Sequence, residues 1–131
     1  MIDLQMLHGD MIDVLYEVPN ESVDLIITSP PYNVGVAYGE EVNDERSVGE
    51  YMTFASKAMS QMSRVLKRGG RACVEIGGSG RDFPLSWIWQ DVAYRHGLGI
   101  YSEIGIQHRK TNQCAWGSWM KADAVATIPN F

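Results

Sequence analysis

Cysteine and long apolar segments are both scarce in this chain of 131 residues. Its two cysteines, Cys73 and Cys114, are too far apart for a C-x-x-C site and too few to indicate a secreted disulfide framework. No apolar run approaches the roughly 20 residues that a transmembrane helix needs, and the N-terminus carries no signal-peptide pattern. The sequence therefore predicts a soluble protein of the reducing cytoplasm, with no membrane partner.

Basic residues are also few: 11 Lys and Arg stand against 16 Asp and Glu, which gives a net charge of −5. This balance counts against a protein that coats nucleic acid, because non-specific DNA affinity comes mainly from Lys and Arg. A local basic site is still compatible with it. The basic cluster at 64–71 lies at the C-terminal end of a predicted helix, where the helix dipole favours positively charged side chains. Arg109 and Lys110, in a polar segment, are the better candidates for DNA contact.

The spacing of apolar residues predicts strands and helices in alternation. Strands are expected at 4–7, 23–28, 71–76 and 98–107, and helices at 11–17, 47–66 and 84–96, with Gly69-Gly70 and Gly97 as helix stops. Such alternation implies βαβ crossovers and hence an α/β protein with a mainly parallel sheet and flanking helices. The segment at 32–47 has no periodicity and is expected to be an exposed loop.

The most unusual chemistry follows the strand at 23–28, in Ser29-Pro30-Pro31-Tyr32. The two prolines fix their own φ angles, lack N–H groups and restrict the residues before them, so the turn is stiff. Its carbonyls are left as acceptors without local donors. Open α/β sheets bind ligands at the carboxyl ends of their strands, so we interpret this turn as a candidate active site.

Other residues have simpler interpretations. Asp10 is suited to be an N-cap, and Cys73 is expected to be a small buried apolar residue. Trp87 and Trp89 are expected to pack in the core. The histidines lack the spacing of metal ligands, so no metal site is predicted. The segment at 75–80 is rich in glycine and leaves open an alternative interpretation as a cofactor loop.

Three motifs occur in a recognisable order: Leu7-His8-Gly9-Asp10-Met11, then Ser29-Pro30-Pro31-Tyr32 after a strand, then Leu66-Lys67-Arg68-Gly69-Gly70 before a strand. A segment Trp116-Gly117-Ser118-Trp119 follows later. This order resembles the permuted (β-type) DNA amino-methyltransferases, which transfer a methyl group from S-adenosylmethionine to an exocyclic amino nitrogen of a DNA base. The resemblance covers nearly the whole chain. It implies a partial Rossmann-like methyltransferase fold, a single catalytic domain over 1–131 and a prokaryotic or phage-borne source.

The resemblance also implies roles for individual residues. Ser29 and the Pro30 carbonyl would accept the amino hydrogens of the target base, in a turn that Pro31 helps to hold rigid, and Tyr32 would stack on the flipped base. Asp10 and Met11 would lie near the cofactor. Serine at position 29, where relatives often have aspartate, favours cytosine N4 over adenine N6 as a tendency of the family. A hydroxyl and a carboxylate both accept hydrogen bonds, so adenine remains open.

One family motif, the Phe-x-Gly-x-Gly cofactor segment, does not occur in the sequence. In the permuted order it would follow the motifs seen here, on strands that separate 4–7 from 23–28. We therefore expect an incomplete domain with exposed strand edges. Three hypotheses follow: a catalytic half that works with a complementary half or within a longer parent, an inactive module that binds DNA or an enzyme, and a homo-oligomer that pairs its strand edges.

Overall fold

A computed structural model of the protein describes residues 3–35, 44–77 and 84–105. Contacts divide the chain into two units, Met1–Ile100 and Tyr101–Phe131, and the helices and strands described belong to the first. Their order is α1 (Met11–Leu15), β1 (Val23–Thr28), α2 (Val48–Val65), β2 (Leu66–Val74) and α3 (Leu85–Arg95). The predicted alternation of an α/β fold is confirmed for these elements.

Strands β1 and β2 pair in parallel, and α2 connects them. Ile26 lies opposite Ala72 and Thr28 opposite Val74, but the register shifts between Val23 and Leu25 because β2 carries extra residues there. The extra residues include Gly70, where a Cβ atom would lie 2.9 Å from the Lys67 carbonyl oxygen. Backbone this close leaves room only for glycine. The prediction of a parallel sheet with flanking helices is thus confirmed.

Helix α2 begins with a capping box: the Ser47 side chain accepts from the Glu50 N–H, and the Glu50 carboxylate accepts from the Ser47 N–H. The helix ends at Val65, within one residue of the predicted end. The prediction that Gly69-Gly70 stops it is wrong, because both glycines lie within β2. The last carbonyls, on Arg64 and Val65, accept from the N–H groups of Glu21 and Ser22. The chain entering β1 therefore caps α2, which allows Leu66 to turn directly into β2.

The core lies where α2 and α3 pack together beside one face of the sheet. Its buried residues include Tyr51, Ala55, Ala58, Met59, Met62, Leu85, Ile88, Trp89, Val92 and Ala93. Ile26, Ala72 and Val74 pack against this cluster from the sheet. Helix α3 contributes Trp89 to the core but leaves Trp87 72% exposed, so the prediction that both tryptophans pack is wrong for Trp87. Trp87 lies on the outer side of the helix.

The opposite face of the sheet is not covered by the described residues. Leu25 and Ile27 are 52% and 76% exposed, and Cys73 on the neighbouring strand is also exposed. Successive strand residues point to opposite faces, so Cys73 faces outward while Ala72 and Val74 face the helices. The expectation of a buried Cys73 is therefore wrong, and the physical reason is that the helices in the described ranges pack on the other face of the sheet.

Two predicted strands are absent from the described residues. The segment at 4–7 forms no strand, and its Leu4 and Met6 side chains are 80% and 89% exposed. The segment at 98–105 likewise forms no strand, and residues 106 and 107 lie outside the described part. A strand needs a neighbour for its backbone hydrogen bonds, and the described sheet consists of β1 and β2 alone.

None of the helices in the described ranges combines the length and the apolar character that a membrane-spanning helix requires.

Candidate active site

The Ser29-Pro30-Pro31-Tyr32 turn leaves β1 at its carboxyl end. The hydroxyls of Ser29 and Tyr32 lie 2.8 Å apart and share a hydrogen bond that either can donate. Ser29 is exposed, Pro30 is buried, and Pro31 and Tyr32 are half-buried. The turn therefore closes on itself through its first and last side chains and keeps the Ser29 hydroxyl accessible.

Tyr51 of α2 holds the turn from the core side. Its hydroxyl donates to the Pro31 carbonyl oxygen at 2.6 Å and accepts from the indole N–H of Trp89 at 3.2 Å. The Tyr51 side chain is fully buried. Burial raises the pKa of Tyr51, because the phenolate would be charged in an apolar setting. The hydroxyl therefore remains a donor at neutral pH.

The chain after the turn is fixed by a buried carboxylate. Asp44, only 2% exposed, accepts hydrogen bonds from the backbone N–H groups of Asn33 at 2.9 Å and Val34 at 3.0 Å. Asn33 has a positive φ of 56° and pairs its side-chain amide with both the N–H and the carbonyl of Arg46. The expectation of an exposed loop at 32–47 is wrong for Asn33 and Asp44, which are buried and hydrogen-bonded within the chain. Residues 36–43 lie outside the described part.

The end of β2 also reaches the turn. A Cβ atom on Gly77 would lie 3.3 Å from the ring of Tyr32, and the Glu75 N–H donates to the Thr28 carbonyl at 2.9 Å. The two parallel strands thus bring their carboxyl ends together around Tyr32. A larger residue at 77 would press on the ring of Tyr32, which would have to shift by a few tenths of an ångström.

Asp10 and Met11, the residues assigned to the cofactor, lie at the start of α1. Asp10 is the N-cap: its carboxylate accepts from the Ile12 N–H at 2.8 Å, and the residue is exposed. Met11 is half-buried and packs against the core cluster. Among the hydrogen bonds within the described ranges, none joins Asp10 to the turn. Its capping role is observed, and its role toward a cofactor remains a prediction.

The predicted DNA contacts, Arg109 and Lys110, and the segment at 116–119 lie outside the described residues. In the other basic cluster, Arg64 donates to the carbonyls of Leu15 and Val18 and so joins α2 to the end of α1. Lys67 forms an exposed ion pair with Asp24 at 2.8 Å. Both side chains make contacts within the chain, as expected for residues with a structural role.

Open grooves of about 330 and 450 Å³ lie among the described residues, one between α2 and α3 and the other between α1 and α2. Residues of the turn do not line either of these two grooves.

Sequence reasoning missed Tyr51, Asp44, Asn33 and Gly77 as parts of this site. Tyr51 was one apolar position among several on an amphipathic helix, and periodicity gives no sign that its hydroxyl reaches a carbonyl. The loop acid Asp44 looked like its exposed neighbours. One signal for this part of the site is present in the sequence: Asn33 directly follows Tyr32, and asparagine is a residue type that tolerates the positive φ of a tight turn.

Comparison with known proteins places the chain among DNA methylases. Residues 23–119 match the DNA methylase family N6_N4_Mtase. The Type II methyltransferase M.MjaVI of Methanocaldococcus jannaschii is 29% identical over 95% of this chain and 65% of its own length. M.BglII of Bacillus subtilis, also a Type II methyltransferase, is 35% identical over 83% of this chain and 28% of its own.

A crystal structure from Thermus thermophilus, of a protein whose assignment as a DNA modification methylase is provisional, superposes with a TM-score of 0.50 at 29% identity. The match covers 68% of this chain and 36% of the other. This likeness confirms the partial Rossmann-like α/β fold. The chain spans about two thirds of M.MjaVI and about a third or less of the other two proteins. Because the family match extends over most of the chain, this protein belongs to the DNA methylase family.

Proposed function

We propose that this chain is the catalytic half of an S-adenosylmethionine-dependent DNA methyltransferase that acts on the exocyclic amino group of a flipped base, with cytosine N4 favoured over adenine N6. The observation that carries the proposal is the turn at the end of β1. Its exposed Ser29 shares a hydrogen bond with the Tyr32 hydroxyl, and its Pro31 carbonyl accepts one from Tyr51. Family membership supports the same reaction class.

The turn acts on the nucleophile. An exocyclic amino group reacts poorly because its lone pair is delocalised into the ring of the base. Acceptors at Ser29 and the Pro30 carbonyl would hold its two hydrogens and favour a pyramidal nitrogen with an available lone pair. Groups fixed in advance need no reorganisation during the reaction, and the contacts of Tyr51 and Asp44 provide that rigidity.

Tyr32 has a defined part in this scheme. The base must leave the duplex at a cost of a few kcal/mol, and stacking on an aromatic ring returns roughly 1–3 kcal/mol. Its hydroxyl bonds to Ser29 and its ring borders Gly77, so its orientation is set before DNA binds. Arg109 and Lys110 are proposed to contact the DNA backbone.

The residues assigned to the cofactor are less firmly held than the turn. Asp10 is exposed and caps α1, and the grooves present do not adjoin the turn. In this family S-adenosylmethionine supplies the methyl group. We therefore propose that Asp10 and Met11 contribute to its binding only together with the strands that carry the glycine motif, from a complementary half or a longer parent.

The face of the sheet that the described residues leave uncovered supports that partnership. Leu25 and Ile27 are exposed on a strand of a parallel sheet, and parallel sheets are normally covered on both faces. A second copy of the chain is the alternative occupant. Sedimentation of the purified chain separates the two, because a monodisperse monomer would argue against self-pairing and leave the complementary half as the occupant.

The test is methyl transfer from labelled S-adenosylmethionine to DNA, by the chain alone and with the region of M.MjaVI that the chain does not match. We expect transfer only with that region present, and N4-methylcytosine as the main product after nucleoside digestion. Ser29→Ala should reduce transfer at least tenfold, while Ser102→Ala, a change at an exposed serine, should leave it unchanged. No transfer under either condition would refute the proposal and favour an inactive binding module, as would tight cofactor-free DNA binding with no product.

A further inference from the structure

Tyr51 lies on α2, twenty residues after the turn in sequence, yet its hydroxyl reaches the Pro31 carbonyl oxygen at 2.6 Å. The side chain is fully buried, and its ring centroid lies 5.8 Å from the ring centroid of Phe54. Trp89 of α3, itself 4% exposed, places its indole N–H 3.2 Å from the same hydroxyl. Two helices of the core thus meet the active-site turn through one oxygen atom.

The direction of this hydrogen-bond chain follows from chemistry. An indole N–H only donates, and a carbonyl oxygen only accepts. The hydroxyl oxygen of Tyr51 must therefore accept from Trp89, and its single proton must point at Pro31. The arrangement has one polarity, from Trp89 through Tyr51 to Pro31.

The geometry points to Tyr51 as a positioning residue that sets the direction of the Pro30 carbonyl, the proposed acceptor for the amino group of the base. Peptide bonds are planar, and the ring of Pro31 fixes its φ angle. Only the ψ angle of Pro31 is then free between the Pro30 carbonyl and the Pro31 carbonyl. The hydrogen bond from Tyr51 holds that last angle. This inference rests on the proposed function for its chemical meaning, while the geometry of the turn can be measured without activity.

A second restraint acts on the other side of the turn. Tyr32 bonds to Ser29 at 2.8 Å, so loss of the Tyr51 hydroxyl would not release the whole turn. We expect a limited loss of order centred on the peptide between Pro31 and Tyr32. The indole N–H of Trp89 acts on the turn through the Tyr51 hydroxyl, so removing it should have the same kind of effect at smaller size.

The experiment uses Tyr51→Phe in the full chain, with Tyr94→Phe as the matched control, because Tyr94 is exposed on α3 and loses the same hydroxyl. The first readout is NMR: a hydrogen bond to the Pro31 carbonyl deshields its carbon and the amide nitrogen of Tyr32. We expect both resonances to move upfield in Tyr51→Phe, slightly in Trp89→Phe and not in Tyr94→Phe. Unchanged resonances in Tyr51→Phe would overturn the inference.

The second readout is methyl transfer by the chain with its complementary region. A misplaced acceptor should lower kcat about tenfold or more while the KM for S-adenosylmethionine stays the same. Equal kcat for Tyr51→Phe and wild type would overturn the positioning role even if the resonances moved. If the wild-type assembly transfers no methyl group, the proposed function fails, and the NMR comparison still decides whether Tyr51 orients the turn. If Tyr51→Phe fails to fold, Trp89→Phe provides both readouts, and no effect in either would refute the inference.

Discussion

The two stretches that family resemblance assigns to the reaction are supported very differently. The turn at 29–32 contacts the buried Tyr51 and the segment after β2 at Gly77, and the buried Asp44 binds Asn33, the residue that follows the turn. The start of α1 is held by the exposed capping bond between Asp10 and the Ile12 N–H and by the packing of the half-buried Met11 against the core. Among the described residues, the stretch proposed to hold the base is therefore more firmly held than the stretch proposed to hold the cofactor.

The largest effect on stability is expected at Asp44, on the well-supported side. Asp44→Ala would leave the buried N–H groups of Asn33 and Val34 without their charged acceptor, at a cost of roughly 2–4 kcal/mol. Urea unfolding followed by circular dichroism measures this change. Asp44→Asn, which keeps one acceptor oxygen, should cost less. A loss of stability below about 0.5 kcal/mol for the alanine variant, as for a surface substitution, would show that Asp44 does not hold the turn more firmly than Asp10 holds the start of α1.

A smaller effect is expected at Asp10, the aspartate of the weakly supported side. Asp10→Ala removes the N-cap bond to Ile12 and should cost about 1 kcal/mol by the same measurement, because capping bonds at exposed helix ends have that size. Asp10→Ser, which can still cap, should restore most of the stability. In the assembled enzyme, Asp10→Ser should still bind S-adenosylmethionine more weakly than wild type if Asp10 contacts the cofactor, and equal affinity would leave capping as its role.

The smallest effect concerns pH and the start of α2. Bonds from the side chain and backbone of Ser47 lower the pKa of Glu50 below its usual value of 4.5. A pKa lowered by folding adds stability above the unfolded pKa, which is lost as pH falls through the folded pKa. The stability difference between wild type and Glu50→Gln should therefore shrink as pH falls below about 4.5. A difference that does not change between about pH 6 and about pH 3 would contradict the role assigned to the capping box.

The residues of the turn were recognisable from sequence because their chemistry is local. Two prolines after an apolar strand indicate a stiff turn whatever surrounds them, and the capped start of α2 at Ser47 was also predictable to within one residue. The missed features share a different cause. Tyr51, Asp44 and Gly77 act on the turn through space, and a helix position, a loop acid and a glycine after a strand carry no local mark of their distant partners.

The incorrect strand predictions have a related cause. The segment at 4–7 has strand-like composition, but no neighbouring strand in the described part of the chain provides its hydrogen bonds. Cys73, on a predicted strand, is expected to be buried because a free cysteine behaves as a small apolar residue. The described residues do not cover one face of the sheet. Because side chains alternate between the two faces along a strand, Cys73 points to that face and is exposed.

The sequence by itself determined the order of the elements from α1 to α3, the family and the presence of a stiff turn after β1, since these follow from residue type and spacing along the chain. The tertiary structure decided how the turn is held: a tyrosine on α2 donates to Pro31, an aspartate accepts from the N–H groups of Asn33 and Val34, and a glycine shortly after β2 lies against the ring of Tyr32. The physical reason is that these contacts join residues far apart in sequence, and only folding brings them to hydrogen-bond distance.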